Sequence, residues 1–549
     1  MPRFHSLTAA LLAAVLTASC SHAPARDAAD RDVASHPDSG ETPVYGGTLI
    51  FGKGRDATRL DPADTTDGES SIVTENLFDK LVHFQEDSTA LEPGLATSWD
   101  VSTDGKTYTF HLRPGVQFHD GTPFDAEAVK INFERQRKPL EGQQFEFWQS
   151  FFEPVVDAIT VVAPLTVRIT LKENDATFLS NLAMFSMGIV SPASLARYGA
   201  DVSRHPVGTG PFRFVKWDPN QKIVLAANET YWGGRPYLDK LIFKPVPENA
   251  VRLLELEVGA IHGMNGLNPD DTARVEANPE LQFLQEAGMN IGYLAMNNER
   301  KPFDQVKVRQ ALNHAINKPA LIKAFFADGR LGEAAKNPMP PTLWGYNDAI
   351  RDYVYDPARA RQLLAEAGYP RGFEMELWAL PVVRPYMPQG QRVAEAIQSD
   401  LAKIGIKTRI TTYEWGTYLD KLGKGDHQAA LIGWIGDNGD PDNFLFNLLG
   451  ADNARKGGST NYAFYRGAEA NHLMRKARRV SDPAERARLY EEAQVVLHRD
   501  APWVPLFHAK QMAAMRANVR GFTLHPTGKA HFAGTWLAPR AEDSLGGPR

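Results

Sequence analysis

An alternation in the second half of the chain limits its fold most. FEMELWAL (373–380), IKTRITT (406–412) and QAALIGWI (428–435) are apolar runs of strand length, and helix-like stretches separate them. The first of those stretches carries Val393, Ile397, Leu401 and Ile404 and stops at Gly405. Such a βαβαβ order builds a parallel sheet, because parallel neighbours need a crossover long enough to hold a helix. Ligands of open α/β sheets bind beyond the carboxyl ends of the strands. The residues leaving those ends are Arg384 and Tyr386, then Trp415, then Trp434 with Asp437.

One guanidinium, one carboxylate and two indoles at a common rim suit a small zwitterion with apolar side chains. Arg384 can grip a carboxylate with two parallel bonds, and Asp437 can accept from an ammonium. The charged ends of an extended dipeptide are roughly 7 Å apart, so a fixed Arg-to-Asp separation selects length. The tryptophans supply tolerant apolar walls. Spacing alone leaves two other readings equally open: a turn whose aspartates bond their own backbone, and an arginine in a surface salt bridge. Asp440 and Asp442, next to Pro441, read as turn-formers in either case. A calcium loop is excluded, because counting from Asp437 puts Gly439 at the third position and Leu448 at the twelfth.

Length and composition place this pattern in a larger frame. A chain of 549 residues exceeds one hydrophobic core, so two or more lobes are expected. Its 43% hydrophobic and 23% charged residues are those of a folded globular protein. The net charge of -6, from 60 basic and 66 acidic residues well mixed, offers no basic stripe for nucleic acid. The one cysteine, Cys20, follows a basic start and a Leu/Ala run that reads as a signal peptide over residues 1–19. Leu16-Thr17-Ala18-Ser19-Cys20 resembles a bacterial lipobox, which implies cleavage before Cys20 and lipidation of its sulfur. With no second cysteine, no intramolecular disulfide can form. Residues 20–44 are polar, Ala/Pro-rich and aperiodic, and read as a flexible tether.

The first half of the body reads as largely β. Residues 98–118 form a hairpin about Asp104-Gly105, with Tyr108, Phe110 and Leu112 on one face. Gly105-Lys106-Thr107 mimics the end of a P-loop, but Asp100 holds the place of its first glycine. A second hairpin turns at Asp218-Pro219-Asn220, with Phe212, Phe214 and Lys216 opposed to Arg213, Val215 and Trp217. Helix starts are expected at Asp304, Asp356-Pro357 and Asp482-Pro483, the last with Glu485 behind it. No G-x-S-x-G or H-E-x-x-H is present, and His119 and His205 are isolated, so an exported hydrolase finds no support.

HPVGTGPFRF, NETYWGGRPYLDKLIF, PFDQVKVRQALNHAINK, PPTLWGYND, ELWALPVVRPY, TYEWGTYL and GWIGDNGDPDNF occur in this order. Together they resemble the periplasmic dipeptide-binding proteins of bacterial ABC importers, in the peptide/nickel class of solute-binding proteins, from about Tyr45 to Ala538. The resemblance implies an α/β, two-lobed periplasmic-binding-protein-like fold of the large peptide-binding subclass, with mixed sheets and two crossover strands. It implies lobe I over 45–288 with an extra subdomain near 75–200, lobe II over 289–506, a return to lobe I over 507–540, and a tail over 541–549. By the same resemblance Asp437 holds a peptide ammonium and Arg384 its carboxylate, while Trp415, Trp434 and Tyr386 line the site and Gly436 leaves backbone room. It implies a monomeric receptor in the periplasm or cell envelope, anchored through Cys20, serving a permease and its ATPases, with no cofactor, metal or catalytic residue. Relatives also handle haem, nickel complexes, glutathione or antimicrobial peptides. GKGRDATRLDP (52–62) departs from the dipeptide-binding pattern in the first-lobe ligand loop, and Ser21 leaves the anchoring membrane open.

Overall fold

The computed structural model describes residues 41–539 apart from 142 and 144. The leader, Cys20, nearly all of the tether and the 541–549 tail lie outside the described residues. No helix among the described residues is long and apolar enough to cross a membrane.

The βαβαβ reading corresponds to one edge of a six-stranded sheet. Its strands run Gly332–Ala334, Trp503–Ala509, Asn290–Met296, Ala429–Ile435, Glu374–Trp378 and Lys407–Thr411 in spatial order. The last three are parallel, with Glu374 opposite Lys407 and Leu377 opposite Ala429, so their carboxyl ends share one rim. Asn290–Met296 runs antiparallel to the middle of the sheet and is buried along its whole length. Helix Gly390–Ala402 buries Val393, Ala394, Ile397 and Leu401, the expected apolar stripe.

A seven-stranded mixed sheet carries the other lobe. Thr48–Lys53 lies parallel to Lys240–Pro245, and Gln511–Arg516 returns antiparallel to Leu281–Glu286. A four-stranded antiparallel sheet, Ala96–Val101, Thr107–Leu112, Thr166–Leu171 and Val156–Ala163, packs a separate core on helix Ala126–Arg137. Phe110, Phe133, Trp148 and Phe152 fill that core.

The chain passes between the two large sheets twice, at 287–289 and at Lys510. The 288/289 division falls between strands, whereas 506/507 falls inside Trp503–Ala509, which stays in the six-stranded sheet to its end. Asn290 joins both crossings: its Nδ2 donates to Ala509 O at 2.8 Å and its Oδ1 accepts from Ala509 N at 2.9 Å. A side chain on Gly288 would meet that carbonyl at 2.3 Å, so glycine is required there.

Two local expectations need correction. Helix Val306–Ala315 starts behind Gln305 without a side-chain cap, because Asp304 belongs to the preceding turn and its amide bonds Arg300 O. In Phe212–Asp218 a register shift between Phe214 and Lys216 breaks the alternation, and Trp217 joins Phe212 and Phe214 against the core. Asp356 and Asp482 cap their helices as expected, accepting from Arg359 N at 2.9 Å and Glu485 N at 2.7 Å.

Candidate functional site

The strand Ala429–Ile435 leads into the acid run, and each polar residue of that run has a different task. Gly436 N donates to Met289 O at 2.8 Å, which fixes the exit from the strand. A Cβ on Gly436 would stand 2.7 Å from the Phe444 ring, so core packing alone already demands glycine. Asn443 Oδ1 accepts from Trp434 Nε1 at 2.7 Å and from Asp437 N at 3.2 Å, tying indole and aspartate together. Asp440 caps the short helix Pro441–Asn443 and receives Arg486 at 2.9 and 3.0 Å. Asp442 lies 3.5 Å from Arg478 Nε, and Arg478 also bonds Asp175 at 2.7 Å. These two aspartates are thus more than turn-formers: two arginines clamp the loop from helix Pro483–Asp500 and the end of helix Ala468–Arg479.

Asp437 differs from both. Its carboxylate meets no hydrogen-bond donor or ion-pair partner among the described residues, and it faces an open cleft. Burial pushes its acid constant up to about 6, against the pull of Lys529 across the cleft. Burial likewise raises Asp442, to about 7, although Arg478 opposes it. The cleft wall includes Glu75, Lys80, Phe185, Tyr231, Lys529 and His531. Glu75 and Lys80 satisfy one another at 2.6 Å.

Arg384 sits in a tight turn closed by its own N to Met387 O at 3.3 Å and by Met387 N to its O at 2.9 Å. Its guanidinium stands 5.0 Å from the Trp415 ring centre and meets no carboxylate among the described residues. Trp415 opens helix Trp415–Lys424, whose start Glu414 caps by accepting from Thr417 N at 3.2 Å. Tyr386 is buried beside Gly433, where a Cβ would lie 2.3 Å from its ring. It therefore props the arginine turn on the sheet.

Arg384, Trp415 and Tyr386 come together as one cluster, and Trp434, Gly436 and Asp437 as another. Arg384, Trp415 and Trp434 are not part of the cleft wall that Asp437 shares with Lys529. Sequence reading missed Asn443, Arg478, Arg486 and Lys529. The arginines carried no local signal, since Arg486 is 46 residues from its aspartate and Arg478 is 303 from Asp175. Among the described residues no group of three or more His, Cys, Asp or Glu side chains is placed to hold a metal ion.

Known proteins share this architecture. The family model of bacterial extracellular solute-binding proteins, family 5, matches residues 90–456. Heme-binding protein A of Haemophilus influenzae is 41% identical over 506 residues, covering 89% of this chain and 92% of that protein. The dipeptide-binding protein of Escherichia coli is 39% identical over 492 residues, covering 86% and 91%. A periplasmic binding protein associated with an ABC transporter of Helicobacter pylori, solved with the peptide STSA, superposes with a TM-score of 0.81 at 37% identity, covering 90% of this chain and 99% of that one. The chain belongs to the family 5 bacterial extracellular solute-binding proteins, receptors that bind solutes and do not transform them.

Proposed function

We propose that this protein captures dipeptides for an ABC importer, Asp437 holding the α-ammonium and Arg384 the carboxylate. One observation carries the reading: two opposite charges at the carboxyl rim of the parallel strands, neither with an ion-pair partner among the described residues. An unpaired recessed charge such as Asp437 is costly, and a zwitterionic ligand supplies a partner both for it and for the half-exposed Arg384. Trp415 and Trp434 form apolar walls, Tyr386 sets the arginine turn, and Gly436 keeps the loop close to the sheet. The Escherichia coli and Helicobacter pylori relatives support peptides as the cargo. The receptor works as a monomer in the periplasm or cell envelope, lipid-anchored at Cys20, and hands its cargo to a permease with separate ATPases.

Haem is the second reading, favoured by the Haemophilus influenzae relative. Two of the cleft histidines are already engaged: His525 by Thr527 at 2.6 Å and Ser88 O at 3.0 Å, and His83 by Lys80 N at 3.2 Å. The third, His531, has its Nε2 3.9 Å from Glu75 Oε2, so a haem iron would have to compete with that carboxylate for it. Native mass spectrometry of the mature protein with a mixed dipeptide and tripeptide library tests the assignment. Dipeptides should be retained by the wild type and lost in Asp437→Ala. Retention of haemin alone, or of nothing, would remove the dipeptide assignment and leave the receptor.

A further inference from the structure

The cleft beside Asp437 holds a second recessed charge that the ammonium–carboxylate scheme does not use. Lys529 follows Gly528, whose φ of +73° turns the chain after His525-Pro526-Thr527. His525 anchors that segment through Thr527 and Ser88. Lys529 Nζ donates to Ser71 Oγ at 2.8 Å and lies 4.3 Å from the Phe185 ring centre. An ammonium has three donors, so Ser71 leaves two for the cleft.

Asp437 and Lys529 attract one another, yet they do not reach ion-pair distance. The lysine is tethered by Ser71 and Phe185, and the aspartate by Asn443. Two opposite charges held apart across one cavity leave a gap for a group that offers a donor to one and an acceptor to the other. Elsewhere on the wall the charges are already met: Glu75 pairs with Lys80, and Asp79 accepts from Thr209, Tyr231 and Trp232 and lies 3.6 Å from His83.

We propose that Lys529 is a ligand-binding residue whose ammonium donates to the carbonyl oxygen of the ligand's first residue, the residue whose α-ammonium sits on Asp437. This rests on the dipeptide reading above. In an α-peptide the first carbonyl follows the ammonium by one Cα, within one residue's reach of about 3.5 Å. The pair of charges then recognises an α-aminoacyl end and not an amine as such. Asp437 alone would hold any amine, whereas Lys529 repels a bare cation that brings no oxygen with it. Lysine-to-carbonyl bonds are charge-assisted and stronger than neutral ones in a recessed site.

Calorimetry with Ala-Ala and its thioamide analogue, in which sulfur replaces the first carbonyl oxygen, tests the assignment. The wild type should prefer the oxygen compound by about 5-fold or more, sulfur being the weaker acceptor. Lys529→Met should weaken Ala-Ala by about 10-fold or more and bind both analogues alike. Lys529→Arg should restore the preference. If the methionine variant fails to fold, Lys529→Gln carries the same comparison, with a reduced preference expected. A preference that survives in Lys529→Met, or equal wild-type affinity for the two analogues, overturns the role of Lys529 alone. Wild-type protein that binds neither compound overturns the dipeptide reading, and this proposal with it.

Discussion

To hold an ammonium Asp437 must be ionised, and burial works against that by pushing its acid constant up to about 6. Ligand binding needs the carboxylate, so affinity should be flat at high pH and fall about tenfold per unit once pH drops below that value. The same shift acts on stability in the opposite sense. Between the ordinary carboxylate range and pH 6 the folded, ligand-free protein holds a proton that the unfolded chain lacks. The Asp437 contribution to ligand-free stability therefore rises as pH falls through that window, while affinity falls. Calorimetric titrations from pH 5 to 8 check the first trend and denaturant unfolding the second. Asp437→Asn should bind dipeptide weakly at every pH, with the downward limb gone.

At the level of elements, the acid loop depends on helices that arrive much later in the chain. Arg478 stands between Asp442 and Asp175, with both carboxylates almost fully buried. Its removal leaves two buried carboxylates without their arginine, which costs about 3–5 kcal/mol for a broken buried ion pair. Arg478→Ala should lower unfolding stability by that order in a denaturant titration, and Arg478→Lys should recover part of it. The loop shows where sequence reading succeeds and where it stops. The parallel strands, the two hairpins and the Asp-Pro helix starts were legible because each is encoded by a local period or a cap. The clamp was not, since nothing near Arg478 or Arg486 marks a partner so distant in the chain. Asp304 and Trp217 misled for a related reason: a turn and a bulge each shift the local register by a residue or two, which no period reveals.

For the whole molecule, the same loop also meets the other lobe. Asn438, the neighbour of Asp437, donates to Asn181 Oδ1 at 2.7 Å, and Asn174 donates to Arg479 O at 2.7 Å and Ser481 Oγ at 3.0 Å. Ala176 N adds a bond to Arg478 O at 2.7 Å, and Arg479 pairs with Glu173 at 2.6 Å. A ligand charge on Asp437 thus sits one residue from contacts that hold the lobes together. The Asn438–Asn181 bond is buried, and a net hydrogen bond contributes about 0.5–1.5 kcal/mol. The exposed Arg479–Glu173 pair contributes about 0–1 kcal/mol, so together these contacts favour closure without locking it. Small-angle scattering should show the radius of gyration falling when a dipeptide is added, and an unchanged radius would contradict ligand-driven closure. That the molecule has two lobes was legible from length and from resemblance. The joining residues, Asn290 and Gly288, were not, because their role appears only when two crossings lie side by side.

Asp437 is assigned to the free ammonium of the peptide. The most direct measurement is calorimetry of the wild-type protein with Ala-Ala and with its N-acetylated form. Acetylation removes the positive charge and keeps the rest of the ligand, and it leaves Asp437 opposite a neutral amide. Truncating a partner in a recessed charge pair costs about 2–5 kcal/mol, so the free dipeptide should bind roughly 30- to several thousand-fold more tightly. Equal affinity for the two ligands would contradict the assignment of Asp437 and, with it, this account of the site.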